Sequence, residues 1–183
     1  MLTRVEVREA VERAERRFVD ACEGTTTVHW EFQPEGTGSR AWTIPQVVEH
    51  VTGANAGILR VLQDVVVSSP RGDRHPDFED ADLPYIFYGG GGPAPPGAED
   101  PVGTRMSRDE SVAGFQASMR SIVDWYDGVE IDLRDCALRH PAFGLFDGAQ
   151  WLLFVSVHAQ QHRGQILDVQ RACDSAGATT SGR

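Results

Sequence analysis

The sequence predicts an all-α fold, a four-helix bundle with a long Gly/Pro-rich loop between its second and third helices. Three observations predict it. The pattern Ser/Thr/Asp-x-x-Glu/Gln occurs at Thr3…Glu6, Thr43…Gln46, Ser107…Glu110 and Asp147…Gln150. This is a capping box, which satisfies two unpaired N–H groups reciprocally at a helix start. Behind each box, apolar residues recur in alternating steps of three and four, the period of a helix with one buried face. Finally, residues 68–106 hold seven of the ten prolines and the run Gly89-Gly-Gly-Gly92, so regular structure cannot run throughout that stretch.

The first helix carries Val7, Val11, Ala14, Phe18 and Ala21 on its stripe. Residues 23–42 then form a mixed connection, with an extended piece expected over Val28-His-Trp-Glu-Phe32. The second helix carries Val47, Val51, Ala54, Ile58, Val61 and Val65, and Pro45 lies in its first turn, where a missing N–H costs nothing. Within the long loop, the aromatic island Pro84-Tyr-Ile-Phe-Tyr88 reads as cover for the bundle surface or a dimer mate, as a lid over a pocket mouth, or as simple disorder. The third helix carries Val112, Phe115, Met119, Ile122 and Tyr126, and Gly128 ends it. Residues 128–146 are a linker in which Leu133 and Leu138 cover the bundle end. The fourth helix carries Trp151, Val155, His158, His162, Gln165 and Val169. Residues 1–173 are thus expected to form one domain, and 174–183 a flexible tail.

Composition narrows the function. There are 17 basic and 27 acidic side chains, a formal charge of −10, and every basic residue is Arg. Without Lys, a Gly-Lys-Ser/Thr phosphate loop and Schiff-base chemistry are both excluded. The acidic balance argues against nucleic acid and against an anionic membrane as partners. Cys22, Cys136 and Cys173 are odd in number and widely spread, which rules out a disulfide scaffold and a cysteine zinc ribbon. A charged N-terminus without an apolar run and three isolated thiols make a reducing cytoplasm the expected compartment. Ile44, Leu59, Leu62 and Leu153 lie off the core stripes and would need cover, which favours a homodimer.

The chemistry lies with histidine. His158 and His162 stand four apart, so both rings share one face of the fourth helix, one turn apart. One metal ion can use that geometry, and so can a pair of hydrogen-bonded core histidines. His50, at the edge of the second helix's stripe, meets them if the two helices are neighbours. Neighbouring chemistries fail on single residues. Ala159 stands where a zinc peptidase carries its Glu, no Glu-x-x-His pair serves a di-iron centre, and no Gly-x-Ser-x-Gly turn exists. His140 precedes the fourth helix in a His-Pro-x-x-Gly turn that orients it, while His29 and His75 are expected in solvent. Gln161, Gln165, Glu49 and Asn55 are candidates to hold the ligating rings from behind.

Two segments resemble a known family. Trp42-Thr-Ile-Pro-Gln-Val-Val-Glu-His50-Val is similar to the second-helix opening of the DinB/YfiT-like superfamily. His140-Pro-Ala-Phe-Gly144, with Gln150-Trp-Leu-Leu-Phe-Val-Ser-Val-His158-Ala-Gln-Gln-His162-Arg-Gly-Gln-Ile166, is similar to its fourth-helix signature. The resemblance spans all four helices in order. It implies a three-His divalent metal site with His50, His158 and His162 as ligands. It also implies kinship with mycothiol- and bacillithiol-dependent enzymes. The chain departs from the family pattern in its long insert between the second and third helices.

Three imidazoles leave coordination positions open, as a catalytic site requires. The expected function is a metal-dependent thiol S-transferase, in which a low-molecular-weight thiol, its pKa lowered by the cation, attacks a small electrophile. Hydrolysis by water is a variant. Zinc is the first choice, with nickel, iron or manganese as alternatives. The competing expectation is a metal- or ligand-binding stress-response module without turnover, and the blandest is a helical dimer with a satisfied His cluster.

Overall fold

Local signals place every long helix. A computed structural model describes residues 1–36, 38–89, 101, 103 and 106–180. Its helices are α1 (Arg4–Glu23), α2 (Thr27–Glu31), α3 (Ile44–Val61), α4 (Leu83–Gly89), α5 (Arg108–Gly128) and α6 (Gly148–Thr180). A hairpin of β1 (Ala137–His140) and β2 (Gly144–Asp147) precedes α6. All four capping boxes form. The Glu6 N–H donates to Thr3 Oγ1 while the Glu6 carboxylate accepts the Thr3 N–H, and Thr43 with Gln46 and Ser107 with Glu110 do the same. At Asp147 the Gln150 N–H donates to Oδ1 at 2.8 Å, and the Asp147 N–H donates to Gln150 Oε1 at 3.2 Å.

The long helices α1, α3, α5 and α6 make the bundle. α1 packs on α5 and α6, and α3 packs on the same two. Around the bundle the order is therefore α1, α5, α3, α6. The connection from α1 to α3 crosses a diagonal, and so does that from α5 to α6. These crossings explain why residues 24–43 and 129–147 are long and carry α2 and the hairpin. The stripes of α1 and α5 are buried as expected, and that of α6 is too except that Ile166 is buried in place of Gln165; Phe18 meets Phe115 with ring centroids 4.2 Å apart. α6 is buried on almost every side from Ala149 to Ser156, because α1, α3 and α4 all pack on it.

The structure corrects several expectations. The 28–32 piece is not extended: Thr26 caps it, with His29 as the reciprocal partner, and a short helix results. His29 is therefore not simply solvated, since its Nδ1 accepts the Thr26 N–H and its Nε2 meets Asp174 at 2.9 Å. The buried stripe of α3 passes through Asn55, and in the π-helical turn that follows it through Leu62 and Val66, rather than through Ala54, Val61 and Val65. A polar residue at position 55 hides this register in the sequence. In the fold its amide donates to Ser118 Oγ and Met119 Sδ on α5. The 128–146 linker contains paired strands, turned at Gly144, whose φ of 107° suits glycine and where a Cβ would meet Asp77 Oδ2 at 2.5 Å. Leu133 does cover the bundle end. Residues 174–180, expected as tail, continue α6 as helix, and 181–183 lie outside the described residues. Ile44, Leu62 and Leu153 are buried within one chain and Leu59 packs against the core, so the apolar surface that favoured a dimer is already covered.

Of the 68–106 insert, Pro70 bridges to Cys136 and α4 packs on α6 with Leu83 buried. Within the aromatic island itself Pro84 and Ile86 are half-buried and Tyr85 is exposed. Most of the Gly89–Gly92 run lies outside the described residues. At this end Arg134 ties the parts together. Its guanidinium donates to Asp80 of the insert, to Asp147 at the start of α6 and to the Leu2 carbonyl near the N-terminus.

Candidate metal centre

Because α3 and α6 are neighbours, His50 on α3 reaches the two histidines of α6. The Thr43 box fixes where α3 begins and the Asp147 box where α6 begins, so the three rings are placed by helix phase. Their ligand atoms all lie within 4.8 Å of one another. His50 Nε2 faces His158 Nε2 at 3.2 Å. Two ring nitrogens at that distance repel unless a proton or a cation lies between them. On a tetrahedral ion with bonds of about 2.0–2.1 Å, two imidazole nitrogens would stand about 3.3 Å apart, so the spacing fits a shared cation. The donor set fits too, since neutral imidazole is the ligand form.

Burial keeps the two rings of α6 neutral. His158 and His162 are buried and His50 is half-buried. Desolvation, with the neighbouring His162, His50 and His140, holds His158 well below the ordinary histidine pKa. His162 falls to about 4 through desolvation and then His50, with its hydrogen bond to Gln165 opposing. Aromatic side chains wall the cluster. Trp42 lies 4.8 Å from the His50 ring and stacks on His162 at 6.3 Å with a 16° interplanar angle. Phe154 stacks on His158 at 5.8 Å. An open groove of about 1020 Å³ passes His162, bordered by Phe32, Glu35, Ser39, Gln161 and Gln165.

The other candidates separate. Gln165 Oε1 bonds His162 Nδ1 at 2.8 Å, as a supporting residue should. Gln161 borders the groove. Glu49 instead accepts the Gly103 N–H, and Asn55 turns to α5. His75 is exposed. His140 stays outside the cluster at the end of β1, buried among Phe143, Phe146, Trp151 and Phe154. Sequence reasoning did not single out Trp42 as a wall of the site. An aromatic directly before the cap of a helix that bears a candidate ligand is the signal that could have found it.

Burial lowers His140 from 6.5 to about 4. An unfolded chain takes up this proton below about 6.5, whereas the folded chain refuses it until about 4, so stability falls as pH drops through that window. Keeping the ring neutral over this range is worth at most about 3 kcal/mol. Urea melts of metal-free protein should therefore shift to lower midpoints between pH 7 and pH 5. His140→Phe should remove part of that dependence, the rest coming from His158 and His162, and an equal slope in both proteins would refute the assignment.

Comparison with known proteins agrees with the architecture. Among the described residues no helix is long and apolar enough to cross a membrane. A search of curated proteins finds no match. Among solved structures the chain is similar to YfiT from Bacillus subtilis, a probable metal-dependent hydrolase with an unusual four-helix bundle topology. The identity is 14%, covering 93% of this chain and 89% of that one, with a TM-score of 0.62, which establishes a shared fold. The family model of the DinB superfamily matches residues 10–166. With the four-helix order and the three converging histidines on the same stretch, the chain belongs to the DinB superfamily.

Proposed function

We propose that this chain is a divalent-metal-dependent enzyme that joins a low-molecular-weight thiol to a small electrophile. His50, His158 and His162 would hold the ion. The observation that carries this reading is three imidazoles from two helices, gathered within 4.8 Å beside an open groove. A divalent ion bound there supplies Lewis acidity, which lowers the pKa of a group that reaches it.

The chain's own residues set the rest. Among the described residues no carboxylate joins the three-His group, and Glu35 lies on the groove wall. A thiol starts near a pKa of about 8.5, so it needs little further lowering to react as thiolate. Trp42 and Phe154 exclude solvent from the ring faces, which strengthens electrostatic interaction with a bound cation. Gln161 and Ser39, on the groove walls, offer hydrogen bonds to an arriving substrate. The likeness to YfiT favours a second reading, in which water replaces the thiol and the reaction is hydrolysis. Zinc is the first choice of metal, with nickel, iron or manganese next. A reducing cytoplasm suits three buried free thiols.

The test begins with elemental analysis of protein purified without an affinity tag, expected to give one divalent ion per chain. Metal-loaded protein is then incubated with a model electrophile, with and without mycothiol or bacillithiol, and with a model ester. Thiol-dependent conjugation supports the transferase. Ester cleavage alone supports the hydrolase. Bound metal that raises the melting temperature without either reaction leaves a binding module and overturns the enzyme reading.

A further inference from the structure

Gln165 follows His162 by three residues on α6, on the side that borders the groove. Its side chain makes bonds in opposite directions. The amide NH2 donates to the Ser39 carbonyl, which lies in the short 3-10 turn Gly38–Ala41 of the connection between α1 and α3. Its Oε1 meets His162 Nδ1 at 2.8 Å. The orientation of the amide follows from chemistry. A backbone carbonyl can only accept, so the NH2 must face Ser39 and the oxygen must face His162. An amide oxygen can only accept as well, so Nδ1 must carry the ring proton. The unprotonated nitrogen of His162 is then Nε2, the one not engaged by Gln165.

We propose that Gln165 is a positioning residue, which fixes His162 as the Nδ1–H tautomer and so leaves Nε2 as the donor atom for a metal. Ser39 is the anchor that fixes Gln165. Two segments that lie far apart in sequence thereby set one ring. Both anchor and ring border the groove, so the wall that a substrate would touch is mechanically joined to the metal centre. For its metal arm the proposal rests on the ligand assignment above. For its tautomer arm it does not.

The experiment compares wild type with Gln165→Leu and Gln165→Glu. Long-range proton–nitrogen NMR of metal-free protein reads the His162 tautomer, and calorimetry reads zinc affinity. Wild type should show a protonated Nδ1 and an unprotonated Nε2. Gln165→Leu should show mixed tautomers and bind zinc about 10–100-fold more weakly. Gln165→Glu keeps an acceptor opposite Nδ1 but has no N–H for the Ser39 carbonyl, so it should retain the tautomer while losing the anchor and part of the affinity, and the retained tautomer guards against misreading a misfolded variant. A protonated Nε2 in wild type overturns the proposal, as does a Gln165→Leu protein with unchanged tautomer and affinity. If wild type binds no zinc, the metal reading falls, while the tautomer spectra still decide the role of Gln165.

Discussion

Arg134→Met is expected to destabilise the protein by about 3–5 kcal/mol, because it strands two buried carboxylates. Asp80 and Asp147 have side chains only 6% and 3% exposed, and both bond the guanidinium at 2.8–2.9 Å. The surroundings divide the two acids. Desolvation prevails at Asp147 and raises its pKa despite Arg134 and the Gln150 N–H. At Asp80 desolvation pushes upward, but Arg134, the Leu2 N–H and Gln150 outweigh it and the pKa is lowered. Without the guanidinium, both groups would have to take up protons or remain buried as uncompensated charge. For a chain of this length the melting temperature should fall by about 6–20 °C. Arg134→Lys should recover only part of this loss, since an ammonium is a point charge and cannot span two carboxylates and a carbonyl as the guanidinium fork does. Adding Asp80→Asn and Asp147→Asn to Arg134→Met should recover much of it. Thermal and urea melts of the series check this. A fall below about 1 kcal/mol for Arg134→Met would mean that the cluster is solvated like a surface ion pair.

His158→Leu should separate stability from metal binding. His158 is 6% exposed, with Phe154 stacked on its ring, so a leucine of similar volume suits the site. Metal-free His158→Leu is expected to melt at or above the wild-type temperature, because an apolar side chain replaces a desolvated imidazole. Its response to metal should vanish. At free zinc about a thousandfold above the dissociation constant, wild type should gain about 4 kcal/mol and the variant nothing. Paired melts with chelator and with zinc, alongside elemental analysis, read both effects. Equal zinc-dependent stabilisation in the two proteins would remove His158 from the ligand set.

These sites differ in how far the sequence reveals them. The His158–His162 pair is legible because its spacing is one helical turn. His50 is legible only as a candidate, since its part depends on α3 lying against α6. Arg134 carries no signal at all: its partners stand 54 and 13 residues away, and Asp80 lies inside a proline-rich insert. Gln165 was visible as a polar residue near the pair, but its anchor at Ser39 is 126 residues distant. The α3 register was misread at Asn55, because burial of an amide depends on partners that another helix provides.

Capping and periodicity act within about four residues, so the chain alone determined where each long helix starts, which face of α1, α5 and α6 turns inward, and that two imidazoles share a side. Tertiary structure decided which helices become neighbours. Two connections cross the bundle diagonally and bring α3 beside α6, and only this packing turns a pair of histidines on one helix into a cluster of three with a wall, a groove and a supporting amide. The reason is range: a cap is closed by atoms already adjacent, whereas a convergent site depends on the free energy of packing whole helices against one another.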